Sequence, residues 1–168
     1  MGVGYDERVD LFAEVVALTS ALDVAGIDYA ICGGVALAIH GVPRATKDID
    51  VLAREADLPR LRDVVRACGF TIEALPMTFS SSGVSIRRFT KVESDGATLM
   101  LDVLVAEGPL EVVWQTRTRV AFAGARQTGA VSVVSRDGLI TLKLAAGRPQ
   151  DIVDVQRLQE ASRGEHES

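Results

Sequence analysis

The sequence contains little cysteine, with two such residues in 168. Cys32 and Cys68 lie far apart, and neither belongs to a CxxC motif or to a Cys/His pair with metal-ligand spacing. A structural zinc site or a disulfide framework would need such spacing or more cysteines. We therefore expect two reduced thiols that pack as small apolar side chains in a cytoplasmic protein.

Long apolar runs are also missing. No segment approaches the about 18 apolar residues that a bilayer-spanning helix needs, and the first residues, MGVGYDERVDLF, lack the basic and apolar regions of a leader. We therefore expect no membrane association. Apolar residues nevertheless make up 48% of the chain, which is sufficient for one buried core in a domain of this size.

An excess of basic residues is absent as well, because the formal net charge is -5. Residues 1–30 contain one arginine and six acidic residues, so the acidity belongs to the N-terminal segment. This balance argues against broad, nonspecific affinity for nucleic acids. Two short basic clusters could face a phosphate backbone, although such clusters are more often solvated surfaces. They are Arg60, Arg62 and Arg66, and Arg87 with Arg88.

The spacing of the apolar residues predicts an α/β protein of the α+β type. Helices are predicted over residues 6–25, in VALAIHG, LPRLRDVVRACG and PLEVVWQT, and as a pair in RDGLITLKLAAGRPQDIVDVQRLQEA. Strands are predicted in IDYAIC, DIDVLA, FTIEAL, RVAFAG and AVSVVS, and as a hairpin of VSIRRFTKV with ATLMLDVLVA. This order favours a mixed sheet that is covered by helices.

Two aspartates, Asp48 and Asp50, stand one residue apart in the predicted strand DIDVLA. Residues i and i+2 of a strand point to the same face, about 6.5–7 Å apart, whereas Ile49 between them points into the core. Without a cation, the two carboxylates repel each other and the pKa of one of them rises. A third carboxylate, Asp102, lies in the second strand of the hairpin. If that strand neighbours DIDVLA, the three side chains form a set of hard oxygen ligands, which Mg²⁺ and Mn²⁺ prefer.

A glycine pair, Gly33 and Gly34, follows the strand IDYAIC and precedes a short helix predicted to start near Val35. Without side chains, these residues let phosphate groups approach their backbone N–H groups, and the start of the helix favours negative charge. A magnesium ion held by a few carboxylates usually completes its coordination with water and nucleotide phosphates. A glycine turn followed by a carboxylate pair on the next strand therefore predicts a site for a metal-bound nucleotide.

These residues resemble the motifs of the nucleotidyltransferase superfamily of the DNA polymerase β type. That family combines a Gly-Gly or Gly-Ser pair, a spacer, an Asp-x-Asp or Asp-x-Glu strand and a later carboxylate on a strand. Here the corresponding residues are Gly33-Gly34, residues 35–47, Asp48-Ile49-Asp50 and Asp102. The stretch GGVALAIHG with DID, and the tail LITLKLAAGRPQDIVD, are most similar to the branch that contains the AbiEii-type toxins of bacterial abortive-infection and toxin–antitoxin systems. The resemblance extends over about residues 27–160.

The resemblance implies a nucleotidyltransferase fold with a mixed, twisted sheet flanked by helices. It also implies an enzyme that depends on Mg²⁺ or Mn²⁺ and transfers an NMP from an NTP to a hydroxyl acceptor. Asp48, Asp50 and Asp102 would bind the metal and carry the catalysis, and Asp102 would help to position or deprotonate the acceptor. The nucleotide would be bound by the glycine pair, by a basic residue before the aspartates and by two residues of the tail, namely Gly33, Gly34, Arg44, Lys143 and Asp151.

Several alternatives stay open at the level of function. The acceptor could be tRNA or another RNA, a protein or a small molecule, and a cognate antitoxin would be a further partner of a toxin. Nucleotidyltransferases that modify aminoglycosides or lincosamides are similar in length and front motif, so an antibiotic-modifying enzyme is one alternative. Another is a nucleotide-binding or toxin–antitoxin partner module that keeps the fold and has lost turnover.

Simpler structural interpretations also exist for single residues. Asp102 could pair with Arg87 or Arg88 across the hairpin, and Lys143 could be a solvated lysine on an amphipathic helix. Asp151 could be favoured by the dipole at a helix N-terminus, with Asp154 on the same face one turn later.

The resemblance and the change of composition near residue 136 suggest how the chain is organised. We expect a nucleotidyltransferase core over residues 1–135, a helical pair over 136–162 that packs on it, and a disordered tail over 163–168. The chain is shorter than the better-known AbiEii-like toxins. We therefore expect the separate C-terminal helical domain of those proteins to be reduced here to the helical pair.

Overall fold

The computed structural model describes residues 10–43, 45–80, 82–123 and 128–167. Arg44 lies outside these ranges, as do residues 6–9 of the predicted first helix. The helices in these ranges are α1 (Leu11–Val24), α2 (Gly33–Ile39), α3 (Leu58–Ala67), α4 (Glu111–Gln115), α5 (Arg136–Ala146) and α6 (Pro149–His166). The strands are β1 (Ala30–Cys32), β2 (Asp48–Ala53), β3 (Phe70–Glu73), β4 (Met77–Phe79), β5 (Val84–Val92), β6 (Thr98–Val105), β7 (Thr118–Ala123) and β8 (Thr128–Val133).

The strands form one twisted, mixed sheet that is flanked by helices, as predicted. In the described residues its order is β3-β5-β6-β2-β1-β8-β7, and β4 also pairs with β5. The pairs β2/β6 and β1/β8 are parallel, whereas the other neighbours are antiparallel. The predicted hairpin is confirmed, because β5 pairs with β6 along its length. Its second strand, β6, lies beside β2 and thus beside the aspartate pair.

A single apolar cluster joins the helices to the sheet. Leu18 of α1, Leu61 of α3 and Ile49 of β2 are completely buried in it, and the burial of Ile49 confirms the alternation predicted for β2. Each such side chain contributes about 1.5–3 kcal/mol by leaving water. Leu139 of α5 and Leu158 of α6 belong to the same cluster. The division of the chain at residue 135 stays a prediction.

The strand β4 was not predicted. Its residues lie between the predicted strands FTIEAL and VSIRRFTKV, and three residues are too few for a periodic pattern. The strand forms because β5 extends beyond β3 and offers free backbone groups, so that Met77 pairs with Ile86 and Phe79 with Val84.

The C-terminal helix is longer than predicted. A disordered tail was expected from residue 163, but α6 continues to His166, so the expectation was wrong for residues 163–166. The reason is a contact between helices: Arg136, at the start of α5, donates hydrogen bonds to both carboxylate oxygens of Glu165 at 3.1 and 3.2 Å. In the part of the chain that the structure describes, no helix combines the length and the apolar character required to cross a membrane.

Candidate active site

Three aspartates stand side by side on one face of the sheet. In the parallel pair β2/β6, Asp50 is the direct register partner of Asp102, and Asp48 lies two residues before Asp50. Residues in register on neighbouring strands are about 4.8 Å apart, and their side chains share a face. The structure therefore places Asp102 on the strand adjacent to the aspartate pair, as the prediction of a three-carboxylate cluster requires.

Two carboxylates of this row, Asp48 and Asp50, have raised pKa values. Burial, followed by the charges of Asp102 and Asp48, raises the pKa of Asp50 to about 7. The pKa of Asp48 is also raised, by burial and then by the charge of Asp102. A pKa increase in the absence of a cation was expected from the sequence, because nearby like charges in a poorly solvated place disfavour ionisation.

Arg88 of β5 neutralises one member of the row. It is the cross-strand partner of Asp102, and its Nε and Nη2 atoms donate hydrogen bonds to Oδ1 and Oδ2 of Asp102 at 2.8 and 3.0 Å. The sequence had offered this ion pair as the simple interpretation of Asp102. The structure shows that the pairing with Arg88 and the position beside Asp50 hold at the same time.

The glycine pair is part of helix α2 and does not precede it. The helix begins at Gly33, not near Val35, and Gly33 has a left-handed backbone with φ of +64°. A Cβ atom at Gly33 would lie 2.1 Å from Oδ2 of Asp50, and one at Gly34 would lie 2.6 Å from Oγ1 of Thr46. Glycine is therefore needed at these two positions to leave room for the side chains of Asp50 and Thr46. This requirement could not be predicted from the sequence.

A second charged cluster lies between α5 and α6. Lys143, Asp151 and Asp154 are buried, with 6%, 1% and 1% of their surfaces exposed. The Nζ atom of Lys143 donates to Oδ2 of Asp154 at 3.0 Å and to Oδ1 of Asp151 at 3.3 Å. The interpretation of Lys143 as a solvated lysine is therefore wrong, and its ammonium is engaged by the two aspartates of α6.

Arg148 connects this second cluster to the surface. Its Nε atom donates to Oδ2 of Asp151 at 2.7 Å, and its backbone N–H donates to the same oxygen at 3.1 Å. Burial by itself raises the pKa of Asp151, but the hydrogen bonds from Arg148 and Lys143 outweigh it and the pKa is lowered. The position of Asp151 in the first turn of α6 also agrees with the helix-dipole interpretation.

The two clusters interact electrostatically. The positive charges of Lys143 and Arg148 counteract the increase in the pKa of Asp50, so both lie close enough to act on the carboxylate row. The structure thus brings three predicted residues, Asp50, Lys143 and Asp151, into one charged region. Arg148 was not predicted as a member of this region. Its position in GRPQ, directly before the start of α6, was the available signal that it lies beside Asp151.

The donor chemistry of the row suits a hard divalent cation. In the described ranges, no group of three or more His, Cys, Asp or Glu side chains stands in a metal-binding arrangement. Both oxygens of Asp102 are instead engaged by Arg88. Three carboxylates on two adjacent strands nevertheless supply the oxygen ligands that Mg²⁺ and Mn²⁺ prefer, and a cation would remove their repulsion. The residues therefore fit a divalent metal in kind and number.

Other residues follow their simpler interpretations. Cys32 is buried in the core and Cys68 is partly buried, and both are free thiols. His40 ends helix α2, and its Nε2 atom forms a hydrogen bond with the backbone oxygen of Val134 at 2.8 Å.

Two solved structures have folds similar to that of this chain. The protein TM1012 of Thermotoga maritima, which has been assigned as a nucleotidyltransferase, has a TM-score of 0.61 at 12% identity, covering 91% of this chain and 94% of its own. The protein ANT(2″)-Ia, solved in complex with adenylyl-2″-tobramycin, has a TM-score of 0.58 at 18% identity, covering 94% and 91%. At these identities the likeness shows the fold. A comparison with curated protein sequences finds no match.

The family profile described as "Nucleotidyl transferase AbiEii toxin, Type IV TA system" matches residues 17–168, which is most of the chain. This match confirms the resemblance inferred from the glycine pair, the aspartates and the tail. The chain belongs to the AbiEii nucleotidyltransferase family and is a nucleotidyltransferase.

Proposed function

We propose that this enzyme uses Mg²⁺ or Mn²⁺ to transfer an NMP from an NTP to a hydroxyl group, and that it is the toxin of a toxin–antitoxin or abortive-infection system. The observation that carries the proposal is the register of β2 and β6, which sets Asp102 directly beside Asp50 and on the same face as Asp48. Two of these carboxylates, Asp48 and Asp50, have raised pKa values, and perturbed pKa values are typical of functional sites.

The metal would be held by Asp48, Asp50 and Asp102. When bound, it would supply positive charge that stabilises the phosphates and the leaving pyrophosphate. Asp102 would position the acceptor hydroxyl and take its proton. The acceptor oxygen would form a bond to the α-phosphorus of the NTP, and the bond from that phosphorus to pyrophosphate would break.

The phosphates would be bound beside the carboxylate row. Gly33 borders Asp50 directly and Gly34 borders Thr46, and the charges of Lys143 and Arg148 act on Asp50. Because Lys143 is held by Asp151 and Asp154, we propose that it acts mainly through its charge and that Asp151 orients it. The side chain of Arg148, which is 72% exposed, is more accessible to a phosphate. Arg44 keeps its proposed role as a phosphate contact.

The acceptor is proposed to be tRNA or another RNA, or a protein hydroxyl, with a cognate antitoxin as the partner that controls the activity. Both acceptor classes and the NTP occur in the cytoplasm, where we place the enzyme. The fold likeness to ANT(2″)-Ia, solved with adenylyl-2″-tobramycin, keeps an aminoglycoside as a second acceptor to be tested.

A transfer assay tests the catalytic part of the proposal. The purified protein is incubated with each of the four α-³²P-labelled NTPs, with Mg²⁺ or EDTA, and with total tRNA, tobramycin or no added acceptor. We expect label transfer that requires the metal and that falls by at least about 100-fold in D50N, because a carboxylate needed for the transition state is lost. The matched control is D63N, which removes an exposed aspartate of α3. Nucleotide binding without pyrophosphate release would identify the inactive module.

A growth assay tests the toxin part. Induced expression of the wild-type chain is expected to stop bacterial growth, whereas D50N and the double variant D50N/D102N are expected to be harmless at equal protein levels. D63N should remain toxic. An active enzyme that does not affect growth would exclude the toxin role while leaving nucleotidyl transfer intact.

A further inference from the structure

The residues Arg88, Asp102 and Asp50 form a row across three adjacent strands. The order of these strands is β5-β6-β2, and the register pairs Arg88 with Asp102 and Asp102 with Asp50. The guanidinium of Arg88 therefore lies at one end of the row of carboxylates, on the same face of the sheet. The pKa of Arg88 is raised, chiefly by its hydrogen bonds with Asp102, with smaller effects from the charges of Asp48 and Asp50.

Arg88 and a metal ion compete for the same ligand. The guanidinium engages both oxygens of Asp102 in a forked geometry, with distances of 2.8 and 3.0 Å. A divalent cation that binds Asp102 takes electron pairs from these oxygens and repels the guanidinium. The forked pair therefore weakens or opens when the third carboxylate joins a metal site.

A released guanidinium has a suitable partner close by. The Arg88 side chain is 38% exposed, so it is not locked in place by packing. The proposed substrate brings a triphosphate to the same row, and a planar guanidinium binds phosphate oxygens with the fork that it uses for a carboxylate. The neighbouring Arg87 cannot take this role. It is the partner of the buried residue Val103 and lies on the opposite face of the sheet.

We propose that Arg88 changes partner during the reaction, holding Asp102 in the metal-free enzyme and binding the phosphates of the metal-bound NTP afterwards. The inference rests on the proposed function and adds a substrate-binding residue to it. In the metal-free state, Arg88 keeps the Asp102 carboxylate aligned and balances its negative charge. When metal and nucleotide are bound, the guanidinium pairs with the phosphates of the substrate. Binding of the metal and binding of the nucleotide are therefore coupled.

The test measures metal and nucleotide binding separately. Mn²⁺ binding without nucleotide is followed by electron paramagnetic resonance for wild type, R88Q and R87Q. Binding of the α,β-methylene analogues of ATP, GTP, CTP and UTP is then measured by calorimetry at saturating Mn²⁺. The variant R87Q is the matched control, because it removes the same charge from the same strand on the other face.

We expect opposite effects of R88Q on the two ligands. Mn²⁺ alone should bind about fivefold more tightly, because a partly exposed ion pair no longer competes for Asp102. The preferred analogue should bind about tenfold more weakly, because one charge-assisted hydrogen bond to phosphate is lost. R87Q should resemble wild type in both measurements. A merely structural ion pair would not produce tighter Mn²⁺ binding together with weaker nucleotide binding.

Each other outcome overturns the inference. Unchanged or weaker Mn²⁺ binding by R88Q shows that Arg88 does not compete with the metal, and unchanged analogue binding shows that it does not contact the nucleotide. If circular dichroism shows that R88Q is unfolded, R88K replaces it. R88K keeps the charge and lacks the fork, and it is expected to shift both affinities in the same directions by smaller factors. If the wild-type enzyme transfers nucleotide and the Arg88 variants bind Mn²⁺ and the analogues as wild type does, the inference is refuted while the proposed function stands.

Discussion

At the scale of single residues, Asp50 has a carboxylate that is costly to ionise in the metal-free protein. Its pKa is raised to about 7 by burial and by the charges of Asp102 and Asp48, whereas in an unfolded chain an aspartate titrates near pH 4. The folded protein thus binds the proton more tightly than the unfolded chain does. The destabilising repulsion is fully present above pH 7 and disappears as the pH falls from about 7 towards 4.

We predict that D50N stabilises the metal-free protein in a pH-dependent way. In EDTA at pH 8, the melting temperature should rise by about 4 °C, which corresponds to between 1 and 2 kcal/mol for a chain of this size. At pH 5, where Asp50 is already protonated, D50N and wild type should melt at nearly the same temperature. Differential scanning fluorimetry across this pH range measures the difference. D63N should show no such dependence, and a D50N effect that is equal at both pH values would contradict the assigned cause.

The second single-residue prediction concerns Gly33. The variant G33A places a methyl group in a left-handed backbone position and against the Asp50 carboxylate. The backbone conformation costs roughly 1 kcal/mol, and the collision adds about 1–3 kcal/mol. Gly41 is the matched control, because its φ is +84° and a Cβ there has no neighbour within 4 Å. Urea unfolding should show a loss for G33A that clearly exceeds the loss for G41A, and equal losses would show that Asp50 moves aside freely.

At the scale of elements, periodicity was sufficient for β2, β5, β6 and the two C-terminal helices. These segments are long enough to repeat their pattern, and the apolar run around Asp102 required a buried strand. The same reasoning could not find β4, because three residues do not define a period. It also placed the start of α2 too late, since glycine is a poor helix former and the contacts of Gly33 and Gly34 come from residues distant in sequence.

The candidate site was predictable to a similar extent. The positions of Asp48 and Asp50 follow from alternation along one strand, and the placement of Asp102 needed only the assumption that its strand is adjacent. The burial of Lys143 was not predictable, because its partners Asp151 and Asp154 lie on another helix whose packing angle the sequence does not give. The spacing of those two aspartates, one helical turn apart, was the available signal.

The third prediction addresses the junction of α5 and α6, where Lys143 lies between two buried aspartates. Replacing it in K143M removes the ammonium that lies between the two buried aspartates and leaves Arg148 as the cation beside Asp151. Removal of one partner from a buried ion pair typically costs about 3–5 kcal/mol. Chemical unfolding of K143M should therefore show a loss near 3 kcal/mol, whereas R157M, at an exposed position on α6, should change stability by less than about 0.5 kcal/mol. A loss as small as that of R157M would refute the structural role of Lys143.

At the scale of the whole molecule, the site is assembled from segments spread along most of the chain. The glycine pair comes from α2, the carboxylates from β2 and β6, and the cationic cluster from α5 and α6. Because a single apolar core joins all these elements, ligand binding at the site is coupled to the stability of the entire fold. Global unfolding therefore reports whether a metal binds, without any assumption about the acceptor.

The last prediction uses this coupling. A ligand that binds only the folded state stabilises it by about 2.7 kcal/mol at a concentration 100 times its dissociation constant. Titrating Mn²⁺ at pH 8 should therefore raise the melting temperature of wild type and D63N progressively, while D50N and D102N should respond weakly. Since D50N is expected to start above wild type in EDTA, the two curves should cross as Mn²⁺ is added. Parallel curves would show that the metal binds elsewhere, because the same carboxylates would then destabilise the empty site without holding the cation that offsets their repulsion.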